Sequence, residues 1–165
     1  MKENQEQIEV EVKKMALRQL RYGDDSILRK RCKEVVEIND NIRTILNDML
    51  DTLHNIENGA AIAAPQVGIL KRLVVIDMGT GVFKLVNPQI IDKSGEVECI
   101  EGCLSFPNRF GKTIRPQRVT IKALDENGKE IILTGEGELA KCFCHELDHL
   151  DGIVFIDKVT KWINI

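Results

Sequence analysis

Residues 138–150 read ELAKCFCHELDHL, and the His-Glu-x-x-His pattern near the end of this stretch decides how the rest of the sequence is interpreted. The stretch predicts a helix that ends at Gly152, since glycine accepts the left-handed conformation that closes a helix. Because residues four apart share one face of a helix, His145 and His149 can reach one metal ion. Glu146 lies about 100° around the helix axis from His145. It can therefore address a water molecule beside the ion without being a ligand.

Two imidazoles leave such a site one protein ligand short, because catalytic metal sites commonly have three protein ligands and one open position. Among the 16 residues after His149, only Asp151 and Asp157 are candidates. Asp151 points away from the ligand face if the helix continues. Asp157 closes a predicted short strand, residues 153–157, that leaves the site. We therefore expect the third ligand to come from upstream of the helix.

The upstream candidates are His54 and the five cysteines. His54 ends a predicted helix, where a histidine is more often a surface residue than a ligand. Four of the cysteines stand singly in ordinary contexts and are typical of small buried hydrophobic residues. Cys103 differs, because it follows a predicted strand and lies in the segment Glu101-Gly102-Cys103-Leu104-Ser105. The glycine in this segment allows the backbone to approach a ligand or substrate closely.

The segment 59–66, GAAIAAPQ, is a further candidate element. Its run of small residues leaves room for a second backbone, and Gln66 offers an amide that can donate a hydrogen bond. Composition alone favours a plainer interpretation, in which the segment packs tightly between a helix and a strand. The segment gains functional weight only in combination with the other two motifs.

The rest of the sequence predicts one further helix and several strands. The helix starts after Asn39 or Asp40, has its apolar residues at helical spacing, and stops at Asn58-Gly59. Strands are predicted at residues 72–77, 82–86, 97–100, 119–124 and 131–133. Asn127-Gly128 predicts a type I′ turn between the last two. The order helix, strands, helix indicates an α+β fold, with antiparallel or mixed sheets packed around the central metal-binding helix.

Length and composition fit one folded domain. The 165 residues suit a single core. Residues 1–14 are polar and are set apart as a leader or extension, expected to be disordered, which leaves residues 15–165 as the domain. A formal net charge of −3 gives no reason to expect nucleic-acid or anionic-membrane binding, and no apolar run could span a membrane. Five cysteines without an export signal indicate reduced thiols in a cytoplasm.

The combined pattern resembles the bacterial type of the peptide deformylase family. The resemblance runs from about Met15 to Lys158 and rests on three motifs in the family's order: Gly59 to Gln66, Glu101 to Ser105 and His145 to His149. It implies that residues 15–165 form a deformylase-like catalytic domain. The implied activity is metal-dependent hydrolysis that removes the formyl group from N-terminal formyl-methionine of nascent polypeptides and releases formate.

The resemblance also implies roles for individual residues. Glu146 would be the general acid and base, while Gln66 and the backbone N–H of Leu104 would stabilise the oxyanion. The ligands of one divalent metal ion would be Cys103, His145 and His149. The family implies Fe(II) in this site, with Zn(II), Ni(II) or Co(II) as substitutes, because His and Cys ligands do not by themselves select one metal. An iron form is therefore expected to lose activity in air or peroxide.

Substrate contacts are implied in the same way. An extended peptide would pair with the backbone around Ala60, Ala61 and Gly102 by strand addition. A pocket for the methionine side chain would be lined in part by Ile62, Cys142 and His145. The implied partner is thus an N-formylmethionyl peptide, in a bacterial cytoplasm, with no nucleic acid or membrane. A monomer is expected, a transient ribosome contact is left open, and the short sequence after the metal helix gives no reason to expect a ribosome-docking helix.

Two positions depart from the family pattern and keep alternatives open. Ala61 stands where a second glycine is usual, and a positive φ there would strain an alanine by about 1–2 kcal/mol. Its methyl group would also lie where substrate backbone should pass. Cys144 stands where glutamine is common. The alternatives are a catalytically impaired deformylase paralogue that binds metal or formyl-peptide, which Ala61 supports, and a zinc peptidase, which would need a downstream ligand.

Overall fold

The computed structural model describes residues 17–164, so the leader predicted at residues 1–14 lies outside the described part. The helices of this part are α1 (Asp40–His54) and α2 (Glu138–Leu150). Its strands are β1 (Ala61–Ala63), β2 (Leu73–Asp77), β3 (Val82–Ser94), β4 (Val97–Cys103), β5 (Phe106–Arg115), β6 (Arg118–Leu124), β7 (Glu130–Glu136) and β8 (Lys161–Ile163). Short 3-10 helices cover Ser26–Arg29, Ala64–Val67 and Phe155–Asp157.

Two sheets form the framework of the described chain. One has five strands in the order β1-β2-β3-β6-β7, and the other has three in the order β4-β5-β8. Every named strand pair is antiparallel. The predicted α+β fold with antiparallel sheets is therefore confirmed. β1 and β4 are both edge strands, so each has one side without a neighbouring strand.

Strand β2 separates two layers of hydrophobic core. Leu73 and Val75 pack with the residues of α1, whereas Val74 and Ile76 pack with those of α2. Successive side chains of a strand point to opposite faces, so one strand serves both layers. All four side chains are fully buried. A continuous apolar run without polar alternation is what a strand covered on both faces requires.

Helix α1 begins as predicted and ends earlier than predicted. The Asn39 side chain accepts a hydrogen bond from the Ile42 N–H at 3.1 Å and so caps the helix. The helix stops at His54, before the predicted end at Asn58-Gly59. Of those two residues it is Asn58 that has the positive φ, 62°. Asparagine is one of the few other residues that adopts this conformation readily, so the left-handed position of the turn is taken by Asn58 and not by the glycine.

Strand β3 is longer than the predicted strand 82–86 because it continues past Asn87-Pro88 as far as Ser94. The pairing with β6 shifts between Val86 and Gln89, and Asn87 has a φ of 51°. A proline is tolerated at such a bulge because the ladder is already interrupted there. The predicted strand ended at residue 86, whereas the strand in the structure continues beyond an irregularity.

The turn between β6 and β7 is not the predicted type I′ turn at Asn127-Gly128. The Asp125 N–H donates to the Lys129 carbonyl at 2.8 Å, so the loop has three residues instead of two. The Asp125 side chain accepts from the Asn127 and Lys129 N–H groups, and Gly128 has a φ of 82°. The aspartate thus stabilises a longer loop, with glycine in its left-handed position.

Helix α2 has the predicted bounds and lies between the two sheets. It contacts β1, β2, β6 and β7 of the larger sheet and β5 of the smaller one. Gly152 has a φ of 74° just beyond its end. The strand predicted at residues 153–157 is wrong, because Phe155–Asp157 form a 3-10 helix. No helix in the range 17–164 is both long and apolar enough to cross a membrane.

Candidate metal and catalytic site

The structure brings Cys103 next to the two histidines of α2. The rings of His145 and His149 have centroids 5.1 Å apart. Cys103 is the last residue of β4, and its Sγ lies 3.4 Å from His149 Nε2. One donor atom from each residue lies within 4.8 Å of the others, so the three can hold one metal ion. His54, the other upstream candidate, lies elsewhere and is hydrogen bonded to Asp77.

The surroundings of the two imidazoles shift their pKa values in opposite directions. Burial lowers the pKa of His149 well below its ordinary value, which favours the neutral ring that binds metals. Burial acts on His145 in the same direction, but interactions with the nearby Cys103 and Glu101 side chains outweigh it and raise its pKa to about 10. Metal binding requires a neutral imidazole, so an ion at this position would compete with the proton that these interactions favour on His145.

Glu146 is a buried carboxylate beside these donors. The residue is 5% exposed, and its Oε2 has no hydrogen-bond partner among the described residues. Burial raises the pKa of Glu146 to about 7, although the charge of His145 opposes the shift. A group with a pKa near 7 both accepts and releases protons at neutral pH, which is the property required of a general acid and base.

The side chain of Gln66 is held in one orientation. Its Oε1 accepts a hydrogen bond from the Ala63 N–H at 2.9 Å, and its Nε2 donates to Ser105 Oγ at 3.1 Å. The same Nε2 lies 3.6 Å from Cys103 Sγ. Gln66 is 1% exposed and is the third residue of the short helix Ala64–Val67. The amide therefore presents its donor side to the cluster of metal-binding candidates.

A cavity of about 810 Å³ opens beside this cluster. Other predicted site residues that line it are Ala60, Ala61, Gly102, Leu104 and Cys142. Ala60 and Ala61 belong to the region of edge strand β1, and Gly102 to edge strand β4. An extended chain entering the cavity would thus meet two strand edges. Leu104 lies in the turn that follows β4.

Ile62 is not brought to this cavity. It was expected to line a side-chain pocket, yet its side chain is fully buried in the core layer of α1. Neighbouring residues of a strand face opposite sides, and Ala61 and Ala63 take the side of α2. This alternation, which follows from the strand itself, is the reason for the correction.

Ala61 does not have the strained backbone considered above. In the described range, the non-glycine residues with positive φ are Asn58, Asn87 and Asn108. Ala61 instead pairs with Ile76 in a regular antiparallel ladder. It is 7% exposed, so its methyl group is largely covered by the core. The impaired-paralogue alternative therefore loses its strain argument.

Gly102 has a packing role in addition to any contact with substrate. A Cβ atom at this position would lie 2.7 Å from Cε1 of Phe110, closer than real side chains come. The glycine thus lets the Phe110 ring cover the backbone just before Cys103. The predicted reason for this glycine was close approach of a ligand, and the structure adds close approach of a side chain.

A buried ion network supports the site and was missed in the sequence. Arg115 donates to both carboxylate oxygens of Glu101, at 2.8 and 3.0 Å, and to Asp148 Oδ2 at 2.8 Å. Glu101 Oε2 in turn lies 3.9 Å from His145 Nδ1. Glu101 and Asp148 stand within two of the motifs, which was an available signal. An arginine at a buried position of β5 gives no such signal, since its partners are 14 and 33 residues away.

Comparison of the whole chain with known proteins agrees with these features. A family model described as polypeptide deformylase matches residues 17–164. Peptide deformylase 2 of Clostridium acetobutylicum is 65% identical over 149 residues, which are 90% of this chain and 99% of that protein. The peptide deformylase of Caldicellulosiruptor bescii is 50% identical over 150 residues, or 91% of this chain and 90% of that protein.

Solved structures are similar over most of the fold. The peptide deformylase of Thermotoga maritima has a TM-score of 0.84 at 35% identity, covering 87% of this chain and 98% of that one. The peptide deformylase of Synechococcus elongatus in complex with actinonin has a TM-score of 0.85 at 39% identity, covering 88% of this chain and 80% of that one. The chain therefore belongs to the polypeptide deformylase family.

Proposed function

We propose that the protein hydrolyses the formyl group from N-formylmethionyl peptides and releases formate and a free methionine N-terminus. The observation that carries the proposal is the convergence of Cys103, His145 and His149 within 4.8 Å, with the buried carboxyl of Glu146 adjoining them in the sequence of α2. The membership of the chain in the deformylase family supports the same reaction.

The donor set fits one divalent metal ion. One thiol and two imidazoles give three protein ligands, which is the number a catalytic site with an open position commonly has. When bound, such an ion polarises a carbonyl and lowers the pKa of water towards 7. We propose Fe(II) as the ion, with Zn(II), Ni(II) or Co(II) able to replace it, since sulfur and nitrogen donors suit all of them.

Glu146 is proposed to move the proton. Its raised pKa, about 7, allows it to accept a proton from the attacking water and to deliver it to the leaving amine. The proposed roles of base and acid therefore need only one group.

Gln66 and the backbone N–H of Leu104 are proposed to stabilise the negative charge that develops on the formyl oxygen. Gln66 supports this role because Ala63 and Ser105 fix the direction of its amide. A donor that is already oriented does not have to reorganise during the reaction, and one such donor is typically worth about 3 kcal/mol.

The substrate is proposed to enter as an extended strand between the two sheet edges, with the backbone around Ala60, Ala61 and Gly102 as its partners. Two edges on one cavity support this arrangement. Cys142 lines the same cavity and is proposed to contact the methionine side chain. We further propose a cytoplasmic monomer acting on nascent chains, with neither nucleic acid nor membrane as a partner; sedimentation tests the oligomeric state.

The decisive experiment measures formate release from formyl-Met-Ala-Ser by protein purified anaerobically with Fe(II). Acetyl-Met-Ala-Ser is the matched control, because its extra methyl group changes only the acyl group that is removed. The expected result is turnover of the formyl peptide, its loss after chelation, and its return with Fe(II), Zn(II), Ni(II) or Co(II). Absence of turnover with one metal ion bound per chain would reject the proposal.

Oxidation distinguishes the metals. Exposure to air or peroxide is expected to inactivate the Fe(II) form, because ferrous iron and the Cys103 thiol are both oxidisable. The Zn(II) form is the control, since zinc has no redox chemistry. Equal survival of the two forms would contradict the assignment of an oxidisable iron centre.

A further inference from the structure

The segment between α1 and β1, residues 55–60, forms one wall of the cavity. It contributes Asn55, Ile56, Glu57, Asn58 and Ala60 to the lining. Its internal hydrogen bonds are short-range, such as those from the Ile56 N–H to the Leu53 carbonyl and from the Gly59 N–H to the Ile56 carbonyl. Bonds of this kind define the turns but leave the position of the segment to whatever fixes its two ends.

Asp77, the last residue of β2, is bonded to both ends of this segment. His54, the residue just before it, has Nε2 2.6 Å from Asp77 Oδ2. The Asp77 N–H donates to the carbonyl of Ala60, the last residue of the segment, at 2.8 Å. The other carboxylate oxygen accepts from the Gly79 N–H at 3.0 Å. Asp77 therefore joins the start and the end of the cavity wall to the larger sheet.

We propose that His54 and Asp77 are positioning residues, which hold the segment 55–60 at the distance from α2 that an extended peptide substrate requires. The inference rests on the proposed function, because it concerns peptide binding in the same cavity. Neither residue has a contact with Cys103, His145, His149 or Glu146 among the described bonds. The pair is therefore expected to act on substrate binding and to leave the chemical step unchanged.

The bond between the two residues is charge-assisted. Hydrogen bonds from His54 and Gly79 lower the pKa of Asp77, so the carboxylate is ionised and accepts from the His54 N–H. The pair is also partly exposed, with 51% of the His54 side chain and 23% of the Asp77 side chain accessible. Exposed pairs contribute little to global stability, so replacing His54 should leave the protein folded.

The test compares three variants of the metal-loaded enzyme. His54→Ala removes the donor, and His54→Gln keeps a side-chain N–H of similar reach. Arg118→Ala is the matched control, because it breaks another exposed pair, with Glu136, on β6 and β7. We expect His54→Ala to raise KM for formyl-Met-Ala-Ser about three- to fivefold without changing kcat. A change of this size is what the loss of one exposed ion pair typically causes. His54→Gln should restore KM, and Arg118→Ala should leave it unchanged.

Amide hydrogen exchange provides a readout independent of turnover. In His54→Ala the amides of residues 56–60 should exchange faster, while those of α2 keep their protection. A KM within twofold of the wild type, a rise that Arg118→Ala shares, or unchanged exchange in residues 56–60 would overturn the proposal. If the wild type does not hydrolyse formyl peptides, the proposed function fails, and the exchange measurement still decides whether the pair positions this wall.

Discussion

Two walls of the cavity differ in how they are held. The α2 wall carries His145 and Glu146, and both are at most 8% exposed. The wall made by residues 55–60 is mostly exposed and is joined to the sheet through Asp77. Burial raises the pKa of Glu146 in the first wall, whereas most side chains of the second wall are in contact with solvent. The two walls thus differ in desolvation, on which the proposed chemistry depends, and in their attachment to the sheet, on which the proposed peptide binding depends.

Glu146 and Glu57 are the same residue type on the two walls. Both line the cavity, but Glu146 is buried and Glu57 is exposed. Burial raises the pKa of Glu146 to about 7. The same substitution on each wall therefore separates the effect of environment from the effect of residue type.

The largest expected effect is that of Glu146→Gln. The amide cannot accept the proton from water, so kcat should fall about 10³-fold. Formate release measures kcat, and the number of metal ions bound per chain shows whether the variant still binds its metal. For Glu57→Gln, the same change on the exposed wall, kcat should stay within about twofold of the wild type, because exposed charged groups contribute little. Similar losses in both variants would show that burial does not distinguish the two carboxylates.

Gln66→Leu should have the next largest effect. The change removes a fixed donor while nearly keeping the volume, so kcat should fall about 100-fold. Steady-state kinetics at a verified metal content separate this from a binding effect. A rise in KM with kcat intact would place Gln66 in substrate binding instead of transition-state stabilisation.

The buried ion network predicts a dependence of stability on pH. Burial alone would raise the pKa of Glu101, but hydrogen bonds and charges from His145 and Arg115 lower it to about 2, below its ordinary value of 4.5. A lowered carboxyl pKa stabilises the fold above the ordinary pKa, and this contribution is lost as pH falls from 4.5 towards 2. The shift corresponds to about 3 kcal/mol.

Urea unfolding across this pH range checks that prediction. Glu101→Gln should be less stable than the wild type at pH 7, because Arg115 then lacks its buried counter-charge. The difference in unfolding free energy between the wild type and Glu101→Gln should narrow as pH falls below about 4.5, because the wild-type carboxylate then begins to be protonated. A gap that does not change with pH would mean that Glu101 contributes by packing and not by its charge.

Ala61→Gly should have the smallest effect. Since Ala61 lies in a regular strand without positive φ, glycine relieves no strain and instead costs about 0.5–1 kcal/mol of stability. We expect kcat/KM for the formyl peptide to stay within about twofold. A large gain in kcat/KM would show that the alanine methyl group does hinder the substrate, as the family pattern suggested.

Much of the fold was predictable where the signal is local. The bounds of α2 follow from helical spacing and Gly152, and the start of α1 follows from its Asn39 cap. The errors fall where a distant contact decides the conformation. β3 continues through its Pro-containing bulge because β6 pairs with both sides of it. Within residues 153–157, Phe155–Asp157 form a 3-10 helix, and the Phe155 ring stacks on that of His145 with centroids 6.1 Å apart.

The sequence by itself determined the ligand helix, the residue types of the site and the family, because these depend on spacing along the chain and on motif order. Only the tertiary structure decided that Cys103 meets His149, that Arg115 neutralises Glu101, and that Ile62 faces away from the cavity. Such facts depend on register between strands and on which face of β1 meets α2. A shift of one residue would reverse every side chain of a strand, and local sequence does not specify that choice.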